Sequence, residues 1–329
     1  MEIAIRADGS NKIGYGHLTR SNAIATELLD FGESVTYLSK NPDSVVSVCA
    51  DQVDICPLEC GTPDEVASKL RIIDADVAYI DLPEAPFKLQ RAIRDVCPLG
   101  VFLGSARNRL CCDMLVNGHL FAKEEEYEWT EEPIWCLGPD YLPLRQPFPE
   151  IATRRKDCNE TPERGLILMG GTDPHNITPA AMDAFNPINI QVTVILGPGN
   201  ENGSSIKQKK ESLSSDFLIK RDPDDLAERM FNADIAVSGF GTTTYELMAT
   251  RTPFIGVTRT SSEQKTANRV ADYVSVDYFG KDFGMKKLTD TLVDLQHDPQ
   301  KRVQLQEQYE EFIDGKGPER ITKKLRSLV

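Results

Sequence analysis

The strongest constraint on this chain is a strand–helix alternation that runs through it twice. EIAIR (2–6) alternates apolar and polar residues, and Leu18, Ile24, Leu28 and Leu29 then recur at helical spacing up to a stop signal at Gly32. SVTYLSK (34–40) returns to a β-branched, period-two pattern, and DVAYIDL (76–82), LGVFLG (99–104) and DMLVNG (113–118) add further strands. Strands separated by helices predict βαβ units and a parallel sheet. The regularity breaks over 141–165, where prolines and charges cluster. It then resumes with GLILMG (165–170), NIQVTVILG (189–197), DFLIK (216–220), DIAVSG (234–239), PFIGVT (253–258) and YVSVDYF (273–279), and amphipathic helices close the chain after about residue 283. With 329 residues, two domains of roughly 150 residues each are expected. The predicted boundaries are 1–148 for an N-terminal α/β domain, a linker over about 149–162, and 163–329 for a C-terminal α/β domain, with the last helix free to return to the first. The fold class is α/β: two doubly wound, Rossmann-like sheets. Such sheets bind ligands outside the carboxyl ends of their strands, which predicts an interdomain cleft.

Composition narrows the function classes. The net charge of −14 disfavours sequence-independent nucleic-acid binding, which runs on Lys and Arg against phosphate. No apolar run reaches the ~18 residues of a membrane span, so no membrane insertion is expected. The stretch MEIAIRADG has neither a basic n-region nor a long apolar core, which predicts no signal peptide and a cytoplasmic location. The eight cysteines form no C-x-x-C pair and are expected to be reduced and mostly buried. DAD (74–76) precedes a strand and DPD (222–224) reads as a helix start, so neither D-x-D is placed to hold a metal, and no cofactor is expected. No G-x-S-x-G elbow occurs. The acidic segment 123–132 reads as a solvated surface, with the roles of Tyr127 and Trp129 open.

Three glycine turns carry the chemistry. The first, IGYGHLTR (13–20), joins the first strand to the first helix. Gly14 and Gly16 let backbone approach a ligand, and His17 stands at the positive end of the helix as a candidate general base. Thr19 occupies the place of the third glycine of a dinucleotide fingerprint, so a dinucleotide site is poorly supported. Asp8 is placed to orient the imidazole, and Arg20 shares its helix face at i+3. The second turn, Gly170-Gly171-Thr172-Asp173, is equally a phosphate cradle and a tight turn capped by Asp173 or Asn176. The third, Gly239-Phe240-Gly241-Thr242-Thr243, opens a helix carrying Glu246 one turn inside, an arrangement suited to a diphosphate and to ribose hydroxyls. A fourth segment, RTSSEQKTANRVA (259–271), puts Glu263 and Gln264 at a helix start, facing sugar hydroxyls or serving as a cap.

The order R-A-D-G…I-G-x-G-H-x-x-R, a central G-P-x-Y-x-x-L-R, G-G-T-D-P, and G-x-G-T-T-x-Y-E-L-x-A-x-x-x-P resembles the UDP-sugar hydrolases of pseudaminic acid synthesis. These are called PseG, or SpsG-like in spore-coat loci, and are relatives of MurG-type glycosyltransferases. The resemblance covers nearly the whole chain. It implies the GT-B fold and metal-independent hydrolysis of a UDP-linked 2,4-diacetamido-2,4,6-trideoxy hexose to free sugar and UDP. It makes His17 the base that activates water. Gly171, Thr172, Gly241, Thr242 and Thr243 become the donors to the departing diphosphate, and Glu246 the ribose contact. Uracil is implied against backbone at Leu218–Lys220, around Ile219. Two positions depart from the family pattern: Gly104-Ser105 stands where members carry an acidic pair, and Glu263-Gln264 where they carry Asn-Gln. Both bear on the sugar. A glycosyltransferase with a UDP-sugar donor and a non-catalytic sugar-nucleotide-binding protein are the alternatives. The sugar's stereochemistry and the oligomeric state are not encoded in these motifs.

Overall fold

The computed structural model describes residues 1–10, 13–49, 51–104, 109–120, 122–124, 127–280, 282 and 284–329. The chain divides into two compact units, Met1–Gln146 with Gly315–Val329, and Pro147–Asp314. The first unit runs β1 (Glu2–Ala7), α1 (Gly16–Asp30), β2 (Ser34–Ser39), α2 (Pro42–Val48), β3 (Asp54–Pro57), α3 (Pro63–Ile72), β4 (Val77–Asp81), α4 (Phe87–Arg94), β5 (Leu99–Phe102), β6 (Met114–Asn117) and β7 (Ile134–Leu137). Among the described residues its strands form a seven-stranded sheet in the order β3-β2-β1-β4-β5-β6-β7, parallel throughout. The order reverses between β1 and β4, which sets the topological switch point.

Alternation along each strand splits the core into two layers. Ile3, Ile5, Val35, Tyr37, Val77 and Tyr79 pack on one face, and Ala4, Leu38, Ala78, Ile80, Leu99 and Val101 on the other. Every residue of β4 and β5 is buried, as a parallel sheet covered on both faces requires. The edge strands β3 and β7 have no counterpart in the sequence reading. Each is four residues long and only partly buried, so neither carries a distinct hydrophobic period.

The second unit runs α5 (Phe148–Ala152), β8 (Arg164–Leu168), α6 (Thr178–Phe185), β9 (Gln191–Leu196), α7 (Gly203–Glu211), β10 (Phe217–Arg221), α8 (Leu226–Asn232), β11 (Ile235–Gly239), α9 (Thr242–Ala249), β12 (Phe254–Thr258), α10 (Ser261–Ala271), β13 (Tyr278–Gly280), α11 (Met285–His297) and α12 (Pro299–Phe312). Its sheet follows the same logic, β10-β9-β8-β11-β12-β13, again parallel, with the switch point between β8 and β11. The stretch 149–162, expected as linker, opens within α5 and belongs to this unit. Phe148, Ile151 and Ala152 are buried, and α5 packs on α8 and α9. The last strand is shorter and later than expected: of 273–279 only Tyr278 and Phe279 pair, because Val274 caps the end of α10 rather than entering the sheet.

After α12 the chain rejoins the first unit through α13 (Gly317–Arg326). Ile321 and Leu325 enter its core, and Arg326 Nε donates to Glu33 Oε1 at 2.7 Å. Five of the eight cysteines are buried, while Cys60 is exposed. Tyr127, in the acidic segment, is buried, and Trp129 stands edge-on to Trp135 at 5.1 Å. Among the described residues no helix is long and apolar enough to cross a membrane.

Candidate active site

In the first unit, three side chains converge at the switch point. β1 runs parallel to β4 with Ala7 opposite Asp81, so the last residue of β4 lies beside the turn that leads into α1. His17 and Arg20, one turn apart on α1, both reach Asp81. His17 Nδ1 lies 2.8 Å from Asp81 Oδ1, Arg20 Nε donates to Oδ2 at 2.7 Å, and Arg20 Nη2 donates to Oδ1 at 2.6 Å. The Asp81 side chain is fully buried, whereas 19% of His17 remains exposed. A carboxylate buried in this way must be matched by donors, and here a fork of guanidinium bonds and an imidazole match it. A carboxylate accepts only, so the bond to Asp81 calls for a proton on Nδ1, which in the neutral tautomer leaves the lone pair on Nε2; Arg20 Nη2 lies 3.1 Å from the same Nδ1. Burial works against the charge on Arg20, but Asp81 outweighs it and raises the guanidinium pKa. The guanidinium also lies 3.9 Å above the Phe102 ring.

The orienting acid is therefore Asp81 and not Asp8. Asp8 is captured by Arg6, two residues back on the same side of the strand, through paired bonds of 2.6 Å. Its Oδ1 also accepts from Ser39 Oγ and the Lys40 N–H. These bonds hold its carboxyl below the usual range despite burial. Gly14 has φ +81° and closes the preceding turn through reciprocal backbone bonds with Ser10. Gly16 opens α1, and a Cβ at either glycine would meet nothing within 4 Å.

In the second unit the glycine turns follow β8 and β11, on either side of the switch point. Their glycines fall into two classes. A Cβ on Gly239 would come within 3.1 Å of the Arg259 guanidinium carbon, and one on Gly170 within 3.4 Å of Arg259 Nη1. These two glycines make room for Arg259. Gly171 and Gly241 have nothing within 4 Å of an added Cβ, and both are exposed. Thr242 begins α9 and Thr243 follows it, so their N–H groups are among those a helix leaves unpaired at its start. Glu246 lies one turn inside, 8% exposed. Ile219 sits half-buried at the middle of the edge strand β10.

Three expected ligand contacts are engaged within the fold. Asp173 is fully buried, and its carboxylate accepts from the N–H groups of Ile177 and Thr178 and from Thr178 Oγ1, which occupies it with unpaired donors at the start of α6. Glu263 clamps Arg259: it accepts from the Arg259 N–H at 2.6 Å and from the guanidinium Nε and Nη2. Its own N–H donates to Thr260 Oγ1 at 3.1 Å, so Thr260 caps α10, while the Glu263 carboxylate reaches back one residue further than a capping box does, to the Arg259 N–H. Gln264 accepts from Thr258 Oγ1 and donates to Asn268. Of the Gly104-Ser105 departure, Gly104 ends the chain segment leaving β5, and Ser105 lies outside the described residues. The sequence reading missed Asp81 and Arg259. The signal for Asp81 was its place at the carboxyl end of a fully apolar strand, where an acid has no packing role. Among the described residues no group of three or more His, Cys, Asp or Glu side chains is arranged to hold a metal.

No protein-family model matches the chain. Spore coat polysaccharide biosynthesis protein SpsG of Bacillus subtilis is 23% identical over 345 aligned positions, covering all of this chain and 98% of SpsG. The UDP-2,4-diacetamido-2,4,6-trideoxy-beta-L-altropyranose hydrolase of Campylobacter jejuni is 22% identical, with 82% of this chain and 96% of that protein covered. Acinetobacter baumannii MurG superposes with a TM-score of 0.71 at 10% identity, over 99% of this chain and all of that one. In sequence the chain is similar to SpsG and to this PseG-type hydrolase, and its fold is GT-B. An uncharacterised protein of Methanocaldococcus jannaschii is 25% identical over 78% of this chain, and the match spans 54% of that protein's length. The same fold carries the UDP-GlcNAc 2-epimerase of Neisseria meningitidis, solved with UDP-GlcNAc, at a TM-score of 0.60 and 10% identity over 99% of this chain and all of that one. The GT-B fold therefore hosts more than one reaction, and the site must decide between them.

Proposed function

We propose that the protein hydrolyses a UDP-linked 2,4-diacetamido-2,4,6-trideoxy hexose to free sugar and UDP. The observation that carries this reading is the His17–Asp81 pair, an imidazole fixed through Nδ1 by a buried carboxylate with Nε2 left for a water molecule. In the proposed step Nε2 takes a proton from water as the oxygen bonds to the anomeric carbon. The bond from that carbon to the diphosphate oxygen breaks, and UDP leaves with the electron pair. The leaving group is a good one, so no separate acid is required. The second unit is assigned the nucleotide. Backbone N–H groups at Gly171–Thr172 and at the start of α9, with the Thr242 and Thr243 hydroxyls, would stabilise the charge that develops on the diphosphate. No step calls on a metal. Glu246 is assigned to the ribose, and the backbone at Ile219 to the uracil. The name of the Campylobacter relative supports the substrate class and the hydrolysis.

The likeness to MurG favours a second reading, transfer of the sugar to an acceptor in place of water. A panel of UDP- and CMP-sugars, with products followed by NMR, separates the two. Free sugar plus UDP without an acceptor is the expected result. Turnover only after an acceptor is added establishes transfer, and stable binding without turnover of any sugar makes the protein a binder.

A further inference from the structure

Two of the chain's four histidines lie in the first unit, and the site described above uses only one. The other, His119, follows β6 as Asn117-Gly118-His119. Its backbone is held firmly. The His119 N–H donates to Asn117 Oδ1 at 3.1 Å, Asn117 Nδ2 donates to the Tyr127 hydroxyl at 2.7 Å, and that hydroxyl donates to the Leu103 carbonyl at 3.0 Å. Gly118 presses on the chain at Leu142, where an added Cβ would stand 2.5 Å from Cα. This bonded path ties His119, the second residue after β6, to Leu103, the residue before Gly104 at the carboxyl end of β5.

The imidazole itself sits over Gly104. A Cβ at Gly104 would lie 3.1 Å from His119 Nε2 and 4.0 Å from Phe102 Cε1. Phe102 in turn lies under the guanidinium of Arg20. His119 therefore occupies the strand-end corner that holds Arg20, Asp81 and His17, and it is half-buried rather than sealed in the core. Burial, with the Arg20 cation beside it, lowers its pKa to about 4. The ring is uncharged near pH 7, so it offers hydrogen bonds but no charge and suits a hydroxyl or amide rather than a carboxylate.

We propose that the His119 imidazole, given its space by Gly104, hydrogen-bonds an uncharged hydroxyl or amide of the sugar on which His17 acts. The assignment rests on the reading of His17 as the base of a UDP-sugar enzyme. It makes His119 a specificity residue for neutral sugars over uronic acids.

The test compares wild type with His119→Ala, His119→Asn and Gly104→Ala, using the UDP-sugar that the panel identifies and UDP alone. Wild type is measured first. A folded wild type that neither binds nor turns over any UDP-sugar overturns the parent reading, and this assignment with it. Given an active wild type, His119→Ala is expected to raise KM about 10- to 100-fold and to change kcat far less. The dissociation constant for UDP stays the same. His119→Asn, which keeps a donor and an acceptor, recovers part of the loss. Gly104→Ala, which pushes a methyl group against Nε2, reproduces it. If His119→Ala does not fold, the other two variants carry the test. An unchanged KM in the folded variants overturns the assignment, and so does an equal loss for UDP alone, which is the outcome of a purely structural histidine.

Discussion

At the carboxyl end of the first sheet, charged side chains answer one another. Asp81 is fully buried between His17 and Arg20, and His119 stands nearby over a glycine. At the same place in the second sheet the groups that face open space are backbone and hydroxyl, at Gly171 and Gly241–Thr243. The ion pair there, Arg259 with Glu263, packs behind them against Gly239 and Gly170. The strand order is the same in both, apart from the extra edge strand β7 of the first. Topology thus supplies the location twice, and the residues that follow the strands give the two locations different chemistry. Preorganised side chains suit proton transfer, and helix-start N–H groups suit an anion.

The sharpest way to break this contrast is to remove proton transfer from the first unit alone. His17→Asn leaves the Asp81–Arg20 fork intact and should lower kcat about 10³-fold, with UDP-induced thermal stabilisation unchanged. Initial rates and melting curves check it. Unchanged hydrolysis removes His17 from the mechanism. Asp81→Asn should also cost on the order of 1–3 kcal/mol of stability, because it leaves the half-buried Arg20 cation without its charged partner.

A second experiment uses acid to separate the units. The folded-state pKa of His119 is about 4, below the roughly 6.5 of an unfolded histidine. As pH falls, the unfolded chain therefore takes the proton first. The stabilisation is complete above about pH 6.5 and is lost progressively down to pH 4, on the order of 3 kcal/mol in all. Amide exchange at pH 7, 5.5 and 4.5 should show β4–β6 losing protection ahead of β8 and β11, and His119→Asn should reduce that slope. The same acid dependence in the variant would show that His119 is not its source.

The smallest effects sort the second unit's glycines. Gly241 has an extended backbone, φ −135°, and open space around it, so Gly241→Val should fold normally while weakening UDP binding about tenfold or more. Gly239→Ala crowds Arg259 and should cost about 1–3 kcal/mol of stability. Urea melts with and without UDP distinguish the two. If Gly241→Val binds UDP as wild type does, the nucleotide lies elsewhere.

The alternation of strand and helix, the break near residue 150 and the glycine-flanked His17 are local patterns. They depend on residues within a few positions of one another, which is why both sheets could be read from the chain. Short edge strands such as β3 could not, because four residues, two half-buried and two exposed, carry no period. The identity of the partners lay further off. Asp8 and Asp81 are both acids at strand ends, and nothing local separates them as companions for His17. The structure does so through two facts. Arg6 captures Asp8 from two residues away, and the parallel register of β1 on β4 brings Asp81, 64 residues along the chain, to 2.8 Å from the imidazole. Glu263 likewise turned from substrate to the Arg259 clamp, whose guanidinium also reaches the carbonyl of Met169, 90 residues away. The sequence by itself determined which elements form and where a base could stand. Which charge answers which was decided only by sheet register and packing, because a buried charge takes the partner that the fold brings to it.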